Sequence, residues 1–375
     1  MKVLLLSWNY PPVLGGIEVV VESLFEGLRR QGHEVRLVTA WAEGAPNDPD
    51  IFRSPKRGLK RFVRYSLTRG LSVCRKERPE VIVCGSLVGA PAAYVLSRVF
   101  GLPFVVLVHG SDILRRGWIY QRATRFLLKR AARVAANSAH TRRLLQSLGV
   151  DERRVDVIHP GVRVEDISGS EAAGADEYEG RRVLLSVGRL VRRKGLLEFV
   201  QHVMPSLVRE NPKALLLVVG DDATASLVHP ERMRRQIEAK VAEMELQEHV
   251  KLLGNVLQDE LTRLLHRAEV FVMPALEIRG DVEGFGIVIV EAALAGVPSV
   301  ASRVGGVPEA VEDGATGLLV EAGDYGAMAG AIGRLLKDEH LRRTMGQAAA
   351  QRAKDRFAWD VIVGQYEQMM KRCLG

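Results

Sequence analysis

Residues 183–220 read VLLSVGRLVRRKGLLEFVQHVMPSLVRENPKALLLVVG. Two runs that are apolar from end to end, VLLSVG (183–188) and ALLLVVG (214–220), flank a stretch with helical periodicity. A strand that is apolar along its whole length is covered on both faces, as in a parallel sheet, and a crossover helix joins parallel neighbours. This segment therefore predicts a βαβ unit.

The same alternation runs through the whole chain of 375 residues. Apolar runs lie at 3–8, 34–40, 81–85, 103–110 and 133–138, and again at 183–188, 214–220, 250–254, 269–274, 298–302 and 317–321. A polar stretch without apolar periodicity, 165–180, separates the two groups and is the expected linker. The pattern predicts two doubly wound, Rossmann-like α/β domains that face a central cleft, with ligands at the carboxyl ends of the strands.

Composition excludes several classes of protein. Hydrophobic residues make up 47% and charged residues 26%, a balance that excludes disordered, collagen-like and coiled-coil chains. The three cysteines, Cys74, Cys84 and Cys373, have no metal-like spacing, which excludes a disulfide scaffold and a zinc ribbon. A reducing, cytoplasmic setting follows from this cysteine usage.

Neither a signal peptide nor a membrane span is predicted. The apolar run at 3–8 is too short for the core of a signal peptide. The longest apolar region, 81–108, is interrupted by Pro91, Arg98 and Pro103, and indicates a strand, a helix and a strand. We expect a cytoplasmic protein, with peripheral attachment to the inner face of the cell membrane as a further expectation.

Positive charge is concentrated in residues 51–143, which contain 20 Lys and Arg against three acids, a net charge of +17. Such a patch suits a polyanion, which here is an anionic lipid, a nucleic acid or a phosphorylated substrate. The alternative is an ordinary solvated basic surface. Candidate contacts to an acceptor or a membrane surface in this region are Arg57, Lys60, Arg61 and Arg64.

The loop after the run at 183–188 has the composition of an anion site. It places Gly188, Arg189, Lys194 and Gly195 between a strand end and a predicted helix. A helix N-terminus and fixed cations can bind a diphosphate, Arg189 with its planar fork and Lys194 as a point charge. An ordinary exposed loop is the alternative. The chain has no Walker motif, and no GxGxxG follows its first strand.

Two glutamates stand eight positions apart in the stretch DVEGFGIVIVEAALAGVP at 281–298. If Glu283 and Glu291 share one helix, they are separated by about 12 Å along its axis. A glycosidase pair needs roughly 5 to 9.5 Å, so these carboxylates indicate two separate hydroxyl-binding groups. The alternatives are a helix cap for Glu283 and a satisfied core carboxylate for Glu291.

The first half of the chain offers two further candidates. Gly15 and Gly16 follow the first apolar run and precede a helix, so that a helix N-terminus points to the predicted cleft. His109 ends the strand at 103–108 and is well placed for a site, although a single histidine is also commonly packed or solvated. The remaining histidines form no metal-like cluster, and no Ser-His-Asp elbow is present.

In these motifs the chain resembles the retaining glycosyltransferases of family 4, which have the GT-B fold. It is most similar to phosphatidylinositol mannosyltransferases and related bacterial enzymes with a DVEGFGIV signature. The matching segments are PPVLGGIE (11–18), HGSD (109–112), HPGV (159–162), SVGRLVRRKG (186–195), VVGDD (218–222), MP (273–274), DVEGFGIVIVEAALAGVPSVAS (281–302), GGVPEAV (305–311) and DGATGLLV (313–320). One departure is Asp221-Asp222, where Gly-Asp-Gly is more usual, so that a loop near the nucleotide is expected to differ.

The resemblance implies a domain plan and a set of contacts. It implies an acceptor-binding domain at 1–165, a nucleotide-sugar-binding domain at 166–355, and a C-terminal helix, 356–375, that packs back on the first domain. It implies His109, Arg189, Lys194 and Glu283 as catalytic residues. The implied donor contacts are Gly15, Gly16, Gly188, Arg189, Lys194, Gly254, Asn255, Val256, Glu283, Gly284, Phe285, Gly286 and Glu291.

The implied activity is transfer of a hexose, with retention, from a nucleotide sugar to a lipid-linked or cell-envelope glycan. GDP-mannose is the preferred donor, no metal or other cofactor is expected, and front-face substitution is the favoured mechanism. A UDP-sugar transferase (glucose, galactose or N-acetylglucosamine) acting on a soluble acceptor is the alternative. More distant alternatives are a GT-B epimerase, a pyridoxal-dependent phosphorylase and a nucleic-acid-binding protein; nucleic acid is not an expected partner, because the basic region has few aromatic residues and no recognisable motif.

Overall fold

The computed structural model describes residues 1–13, 15–44, 46–110, 112–114, 117–168, 177–222, 232–278 and 280–374. The chain divides into two compact units, one comprising Met1–Gly161 with Trp359–Gly375 and the other Val162–Ala358. Each unit is built on one parallel sheet, in agreement with the predicted doubly wound α/β class.

The first unit has a seven-stranded parallel sheet. Its elements in chain order are β1 (Lys2–Ser7), α1 (Gly16–Arg30), β2 (Glu34–Thr39), β3 (Ile51–Arg53), α2 (Leu59–Glu77), β4 (Val81–Cys84), α3 (Ala90–Phe100), β5 (Phe104–Val108), α4 (Trp118–Leu128), β6 (Arg133–Ala136), α5 (Ala139–Ser147), β7 (Val155–Val157) and α15 (Trp359–Lys371). The strand order is β3-β2-β1-β4-β5-β6-β7. All residues of β4 and β5 are buried, because the sheet has a hydrophobic core on each face.

Two edge strands of this sheet were not predicted. β3 is IFR and β7 is VDV, three residues each and mostly half-buried. Both strands are short and partly solvated, so they lack the continuous apolar run by which the other strands are recognised.

The second unit has a six-stranded parallel sheet. Its elements are α6 (Glu165–Ser168), β8 (Arg182–Val187), α7 (Leu196–His202), α8 (Met204–Glu210), β9 (Ala214–Val219), α9 (Met233–Glu243), β10 (Val250–Gly254), α10 (Gln258–Arg267), β11 (Val270–Met273), α11 (Ile287–Leu294), β12 (Ser299–Ser302), α12 (Val307–Ala310), β13 (Gly317–Val320), α13 (Tyr325–Lys337) and α14 (Glu339–Phe357). The strand order is β10-β9-β8-β11-β12-β13. The single helix predicted after residue 195 is divided into α7 and α8, because Pro205 has no N–H to continue the helical hydrogen bonds.

The first boundary between the units lies at Gly161/Val162, four residues before the predicted one at 165/166. The reason is that α6 packs on α10 in the second unit. The hydroxyl of Thr262 donates to the carbonyl of Asp166 at 3.0 Å, and Nε2 of His266 lies 2.7 Å from the carbonyl oxygen of Ile167. Part of the expected linker, 169–176, lies outside the described residues, and Tyr178 beyond it is buried.

The C-terminal helix begins at Trp359 and not at residue 356 as predicted. Helix α14 continues to Phe357, and Ala358 then has an extended backbone with ψ of 138°. The following helix, α15, belongs to the first unit and packs on α1, where Val363 leaves no room for a side chain at Gly27.

The apolar region 81–108 forms β4, α3 and β5, the predicted strand, helix and strand. Within the ranges given above, no helix combines the length and the apolar character needed to cross a membrane.

Candidate functional site

Three strands of the second sheet end in glycines that lie side by side. The amide of Gly188 donates to the carbonyl of Val219 at 2.9 Å, and the amide of Gly220 donates to the carbonyl of Gly254 at 2.7 Å. Any side chain at Gly220 would collide with the carbonyl of Gly188, and φ of Gly188 is 143°. The structure therefore brings the predicted Gly188 and Gly254 together, and adds Gly220, as bare backbone at the carboxyl edge of the sheet.

The residues that follow Gly254 differ in exposure. Asn255 is exposed and Val256 is half-buried. Both lie beyond the carboxyl end of β10, where ligands of such sheets bind.

An ionic network lies beside these strand ends. Nζ of Lys194 is 2.9 Å from Oε2 of Glu283, and Nη1 of Arg193 donates to the same oxygen at 2.8 Å. The Nε of Arg193 donates to Oδ1 of Asp281 at 3.1 Å. All four side chains are only 11–12% exposed, so these contacts are weakly screened by solvent.

Sequence reasoning found Lys194 and Glu283 but missed Arg193 as their link to Asp281. The sequence did contain a signal for this contact. Arg193 directly precedes Lys194, and Asp281 is the first residue of the DVEGFG stretch that contains Glu283. Arg189, which was predicted, is exposed at the rim of the network and close enough to affect both charges.

The two loops of the network are held together through their backbones. Gly195 has φ of 67°, and a side chain there would collide with the carbonyl of Pro274. The amide of Leu276 donates to the carbonyl of Arg193 at 2.8 Å. Only glycine fits this approach, so the close packing of residue 195 positions Arg193 and Lys194 against the loop that carries Glu283.

The charges of the network set the protonation of Glu283. Burial alone would raise the pKa of Glu283, but Lys194, Arg193 and Arg189 lower it to about 2. Burial lowers the pKa of Lys194, and Glu283 offsets that effect only in part because Arg193 and Arg189 are also close. Glu283 is therefore a carboxylate at neutral pH and can accept hydrogen bonds from hydroxyl groups.

Glu283 and Glu291 do not share a helix, so the separation along one helix axis considered above does not apply. Helix α11 begins at Ile287, and Glu283 lies in the loop before it. The carbonyl of Glu283 accepts a hydrogen bond from the amide of Gly306 at 3.0 Å, and any side chain at Gly305 would collide with it. The loop around Glu283 is thus fixed by its backbone as well as by its carboxylate.

The glycines and the phenylalanine of the DVEGFG stretch complete this loop. Gly286 has φ of 89° and immediately precedes α11. The ring of Phe285 is buried and lies 5.4 Å from the ring of Phe357, centroid to centroid. Gly284 is half-buried between Glu283 and Phe285.

Glu291 is a half-buried carboxyl group within the otherwise apolar α11. Burial, and to a smaller extent the negative charge of Asp166, raise its pKa to about 7. Asp166 comes near because α6 packs on α10, a contact that sequence reasoning did not find. The protonation state of Glu291 therefore changes in the neutral pH range.

The departure at Asp221-Asp222 has a local structural role. The carboxylate of Asp222 accepts a hydrogen bond from the amide of Arg234 at 2.9 Å, in the first turn of α9. Asp221 forms an ion pair with the same arginine at 3.6 Å. These two carboxylates connect the end of β9 to the start of α9.

In the first unit, His109 lies at the carboxyl end of β5 as predicted. Its Nε2 is 2.8 Å from the carbonyl oxygen of Gly85, and its amide donates to the carboxylate of Asp112 at 3.1 Å. The side-chain amide of Asn137 donates to the carbonyl of His109 at 3.2 Å. Burial raises the pKa of Asp112, although His109 partly opposes this. The ring and backbone of His109 are thus held from three sides.

The second predicted feature of the first unit is the start of α1. Gly15 precedes the helix, and the carboxylate of Glu18 folds back so closely that a side chain at Gly15 would collide with it. Nδ2 of Asn9 donates to Oε1 of Glu18 at 2.6 Å. Gly16 has open space around it. Asn9 and Glu18 were not predicted, although Glu18 belongs to the matching segment 11–18.

The predicted basic surface of the first unit is solvent-facing. Lys60, Arg61 and Arg64 are exposed on the first half of α2, whose first turn has no acid. Arg57 precedes this helix, with its guanidinium carbon 4.7 Å from the ring centroid of Trp41.

The predicted site residues fall into two groups that belong to different units. Those of the second unit meet at the carboxyl edge of its sheet or on α11, whereas Gly15, Gly16 and His109 lie in the first unit. Among the side chains that the structure describes, no three His, Cys, Asp or Glu are grouped so as to hold a metal ion.

Comparisons with known families match both units. Residues 14–166 match the family described as Glycosyltransferase Family 4, and residues 170–352 match the family described as Glycosyl transferases group 1. A GDP-mannose-dependent alpha-(1-6)-phosphatidylinositol monomannoside mannosyltransferase from Mycolicibacterium smegmatis is 30% identical, over 95% of this chain and 94% of its own.

Solved structures share the fold across the whole chain. A sucrose-phosphate synthase from Thermosynechococcus elongatus superimposes with a TM-score of 0.82 at 24% identity, covering 99% of this chain and 98% of its own. Anabaena HepE, solved in complex with UDP and glucose, superimposes with a TM-score of 0.79 at 21% identity, covering 99% and 100%. These likenesses confirm the predicted GT-B fold.

Proposed function

Because this chain is a member of glycosyltransferase family 4, we propose that it transfers mannose from GDP-mannose to a lipid-linked or cell-envelope glycan. The observation that carries the proposal is the buried Lys194–Glu283 pair beside the glycine ends of β8, β9 and β10. It combines a cation for a diphosphate with an ionised carboxylate for sugar hydroxyls. Mannose is preferred because the mannosyltransferase from M. smegmatis covers nearly the whole chain at 30% identity.

We assign the donor contacts by chemistry. Arg189 and Lys194 bind the diphosphate, together with the backbone at Gly188. Glu283 accepts hydrogen bonds from the hydroxyls of the transferred sugar, beside the backbone of Gly284, Phe285 and Gly286. Glu291 accepts from the ribose hydroxyls. The strand end at Gly254, Asn255 and Val256 contacts the base.

We assign the acceptor to the first unit. His109 belongs beside the donor sugar, and the loop of Gly15 and Gly16 belongs beside the diphosphate and the acceptor. The three contacts that hold His109 in place support this role. A side chain that is already fixed loses less conformational entropy when a ligand binds.

The proposed reaction retains the anomeric configuration. The acceptor oxygen bonds to the anomeric carbon on the face that the diphosphate leaves, and the departing phosphate oxygen takes the acceptor proton. Arg189 and Lys194 stabilise the negative charge of the leaving group, which makes a metal ion unnecessary in this proposal. Trapping of a covalent glycosyl-enzyme would contradict front-face substitution.

The second candidate is a UDP-sugar-dependent transferase for a soluble acceptor. HepE, which shares the fold, is solved with UDP and glucose. Base contacts made by the backbone leave no signal in residue types, so the sequence does not decide between guanine and uracil. The ionic network serves either nucleotide equally well.

We further propose that the protein acts at an anionic membrane surface, to which it binds through the basic surface of the first unit. The exposed Lys60, Arg61 and Arg64 of α2 and the adjacent Arg57 supply positive charge without a nearby acid in the first turn. Attraction of this kind holds a protein at the cytoplasmic leaflet, where anionic lipids are enriched.

A ligand-dependent melting experiment tests the donor assignment. GDP, UDP, GDP-mannose and UDP-glucose are compared for the rise in Tm that they produce, with Lys194→Ala as the control variant. A rise with GDP that the variant loses supports the diphosphate site and the mannose donor. A rise with UDP alone supports the second candidate. If no nucleotide changes the Tm, the assignment of the donor site is wrong.

A further inference from the structure

Arg193 binds two carboxylates at once and lies between the elements of the donor site. Its Nε donates to Asp281 at 3.1 Å and its Nη1 donates to Glu283 at 2.8 Å. Its backbone carbonyl accepts from the amide of Leu276 at 2.8 Å. With 12% of its side chain exposed, Arg193 is fixed at both ends.

Arg193 and Lys194 share a single oxygen, Oε2 of Glu283. Lys194 cannot contact a donor diphosphate with the full strength of its charge while it pairs with Glu283. If Lys194 turns to the diphosphate, Glu283 needs another cation, because an unpaired buried carboxylate is costly and takes up a proton. Arg193 is already in contact and has Asp281 as a second anchor.

We propose that Arg193 is the positioning residue of the donor site, and that it keeps Glu283 ionised and aimed at the transferred sugar while Lys194 serves the diphosphate. This inference rests on the proposed function of the site. It gives the three cations of this loop different roles. Arg189 and Lys194 act on the phosphates, whereas Arg193 acts on a carboxylate.

The role requires the shape of arginine. Two separate N–H groups of one planar guanidinium point to Asp281 and to Glu283, whereas a lysine ammonium is a point charge on a flexible chain. Arg193→Lys retains the charge but loses the fork, and Arg193→Gln loses both. The two variants therefore distinguish charge from orientation.

The test compares a nucleotide sugar with the nucleoside diphosphate that lacks the sugar. For Arg193→Gln, we expect the KM for the nucleotide sugar to rise about tenfold or more, as for loss of a charge-assisted hydrogen bond. The Kd of GDP or UDP should rise by a smaller factor, because a nucleoside diphosphate bears the cost of drawing Lys194 away from Glu283 but makes no sugar contact that can be lost. Arg193→Lys should recover part of the KM. Arg192→Gln, on the same turn with a side chain 65% exposed, is the matched control and should behave as the wild type.

A pH profile supplies a readout that general loosening of the site would not move. Glu291 also titrates on the acid side, with a pKa of about 7, so the profile is measured in the Glu291→Gln background. Removing the Arg193 charge raises the pKa of Glu283, so in that background the acid limb of kcat/KM should move to higher pH with Arg193→Gln but not with Arg192→Gln. Asp281→Asn releases the other end of the fork and should produce a smaller rise in KM. If Arg193→Gln has a lowered Tm, Asp281→Asn takes its place in the test.

Three results would overturn the inference. These are equal weakening of nucleotide sugar and nucleoside diphosphate, an unmoved acid limb, and a wild-type KM in both Arg193 variants. A wild-type protein that binds no nucleotide at all contradicts the proposed function instead, so the two failures are distinguishable.

Discussion

The ammonium of Lys194 and the carboxylate of Glu283 form a buried ion pair, with Nζ and Oε2 2.9 Å apart and 12% of each side chain exposed. Burial of both charges is costly unless each is fully paired. Glu283 meets this condition through Arg193, whereas the only carboxylate found against Lys194 among the described residues is Glu283. The charge of Glu283 is therefore fully paired, whereas Lys194 can still bind a further anion.

This relationship predicts opposite effects of one substitution on binding and on transfer. In Glu283→Gln, Lys194 loses its competing carboxylate, so GDP or UDP should bind about three- to tenfold more tightly. Transfer should fall about 100-fold or more, because the sugar hydroxyls lose an ionised acceptor in the transition state. Titration calorimetry and steady-state kinetics on the same preparation measure both effects.

The matched control for this substitution is Glu277→Gln, an exposed glutamate on the segment that leads to the same loop. It should leave the nucleotide Kd and the transfer rate unchanged. Weaker binding of GDP and UDP by Glu283→Gln would contradict the competition between Glu283 and the diphosphate.

The raised pKa of Glu291 predicts pH-dependent donor binding. If the ribose hydroxyls need an ionised Glu291, the donor Kd should rise about tenfold per pH unit below pH 7. Asp166→Asn removes the neighbouring negative charge and should move this midpoint to lower pH. Glu291→Gln should abolish the midpoint. A donor Kd that is flat between pH 5 and 8 in the wild type would show that Glu291 has no part in ribose binding.

The same group affects stability. Its pKa is raised on folding from 4.5 to about 7, so the folded state holds its proton more tightly than the unfolded state. The stability contributed by the protonated form is complete below about pH 4.5 and is lost as pH rises to about 7. Glu291→Gln should therefore raise the free energy of unfolding at pH 8 by on the order of 2 kcal/mol and change it little at pH 4. Urea denaturation at the two pH values measures the difference.

Gly195 predicts a large loss of stability on a small substitution. Its φ is 67° and its position leaves no room for a methyl group beside the carbonyl of Pro274. Gly195→Ala should cost about 2 kcal/mol or more of unfolding free energy, since backbone strain and a backbone collision add together. Gly280 has φ of 86° but open space around it, so Gly280→Ala introduces backbone strain without a collision. It should lower the free energy of unfolding by only about 1 kcal/mol. Equal costs in urea denaturation would contradict the packing at residue 195.

The basic surface of the first unit predicts salt-sensitive binding to anionic vesicles. Neutralising Arg57, Lys60, Arg61 and Arg64 to Gln should weaken binding by at least about tenfold, given about 1 kcal/mol per basic residue near such a surface. Co-sedimentation with vesicles of phosphatidylcholine, with and without phosphatidylglycerol, over a series of salt concentrations measures the effect.

A charge-matched control separates a specific surface from net charge. Four exposed basic residues of the second unit are changed to Gln in the control variant: Arg235, Lys251, Lys337 and Arg343. Equal loss of binding in both quadruple variants, or binding of the wild type to neutral vesicles as strong as to anionic ones, would remove the membrane part of the proposed function.

Much of the fold could be predicted because the inner strands are apolar along their whole length. The runs at 183–188 and 214–220 became β8 and β9, and those at 81–85 and 103–110 became β4 and β5. Burial on both faces of a parallel sheet leaves a local signal that needs no knowledge of partners. The half-solvated edge strands β3 and β7 leave no such signal.

The candidate site was predicted in part for a similar reason. Gly188, Lys194 and Glu283 lie in motifs where residue type and position beside a strand or helix end indicate their chemistry. The bridge from Arg193 to Asp281 joins residues 88 positions apart, and the approach of Asp166 to Glu291 depends on how α6 packs on α10. No local pattern encodes either contact.

The sequence by itself therefore determined two parallel α/β sheets and the kinds of side chain at their carboxyl edges. Only the tertiary structure decided which charges meet: that Glu283 is held as a carboxylate by Lys194 and Arg193, and that Glu291 is pushed towards its protonated form. The physical reason is that periodicity acts over neighbouring residues, whereas the energy of a charge depends on burial and on distances of a few ångströms to groups far away in the chain.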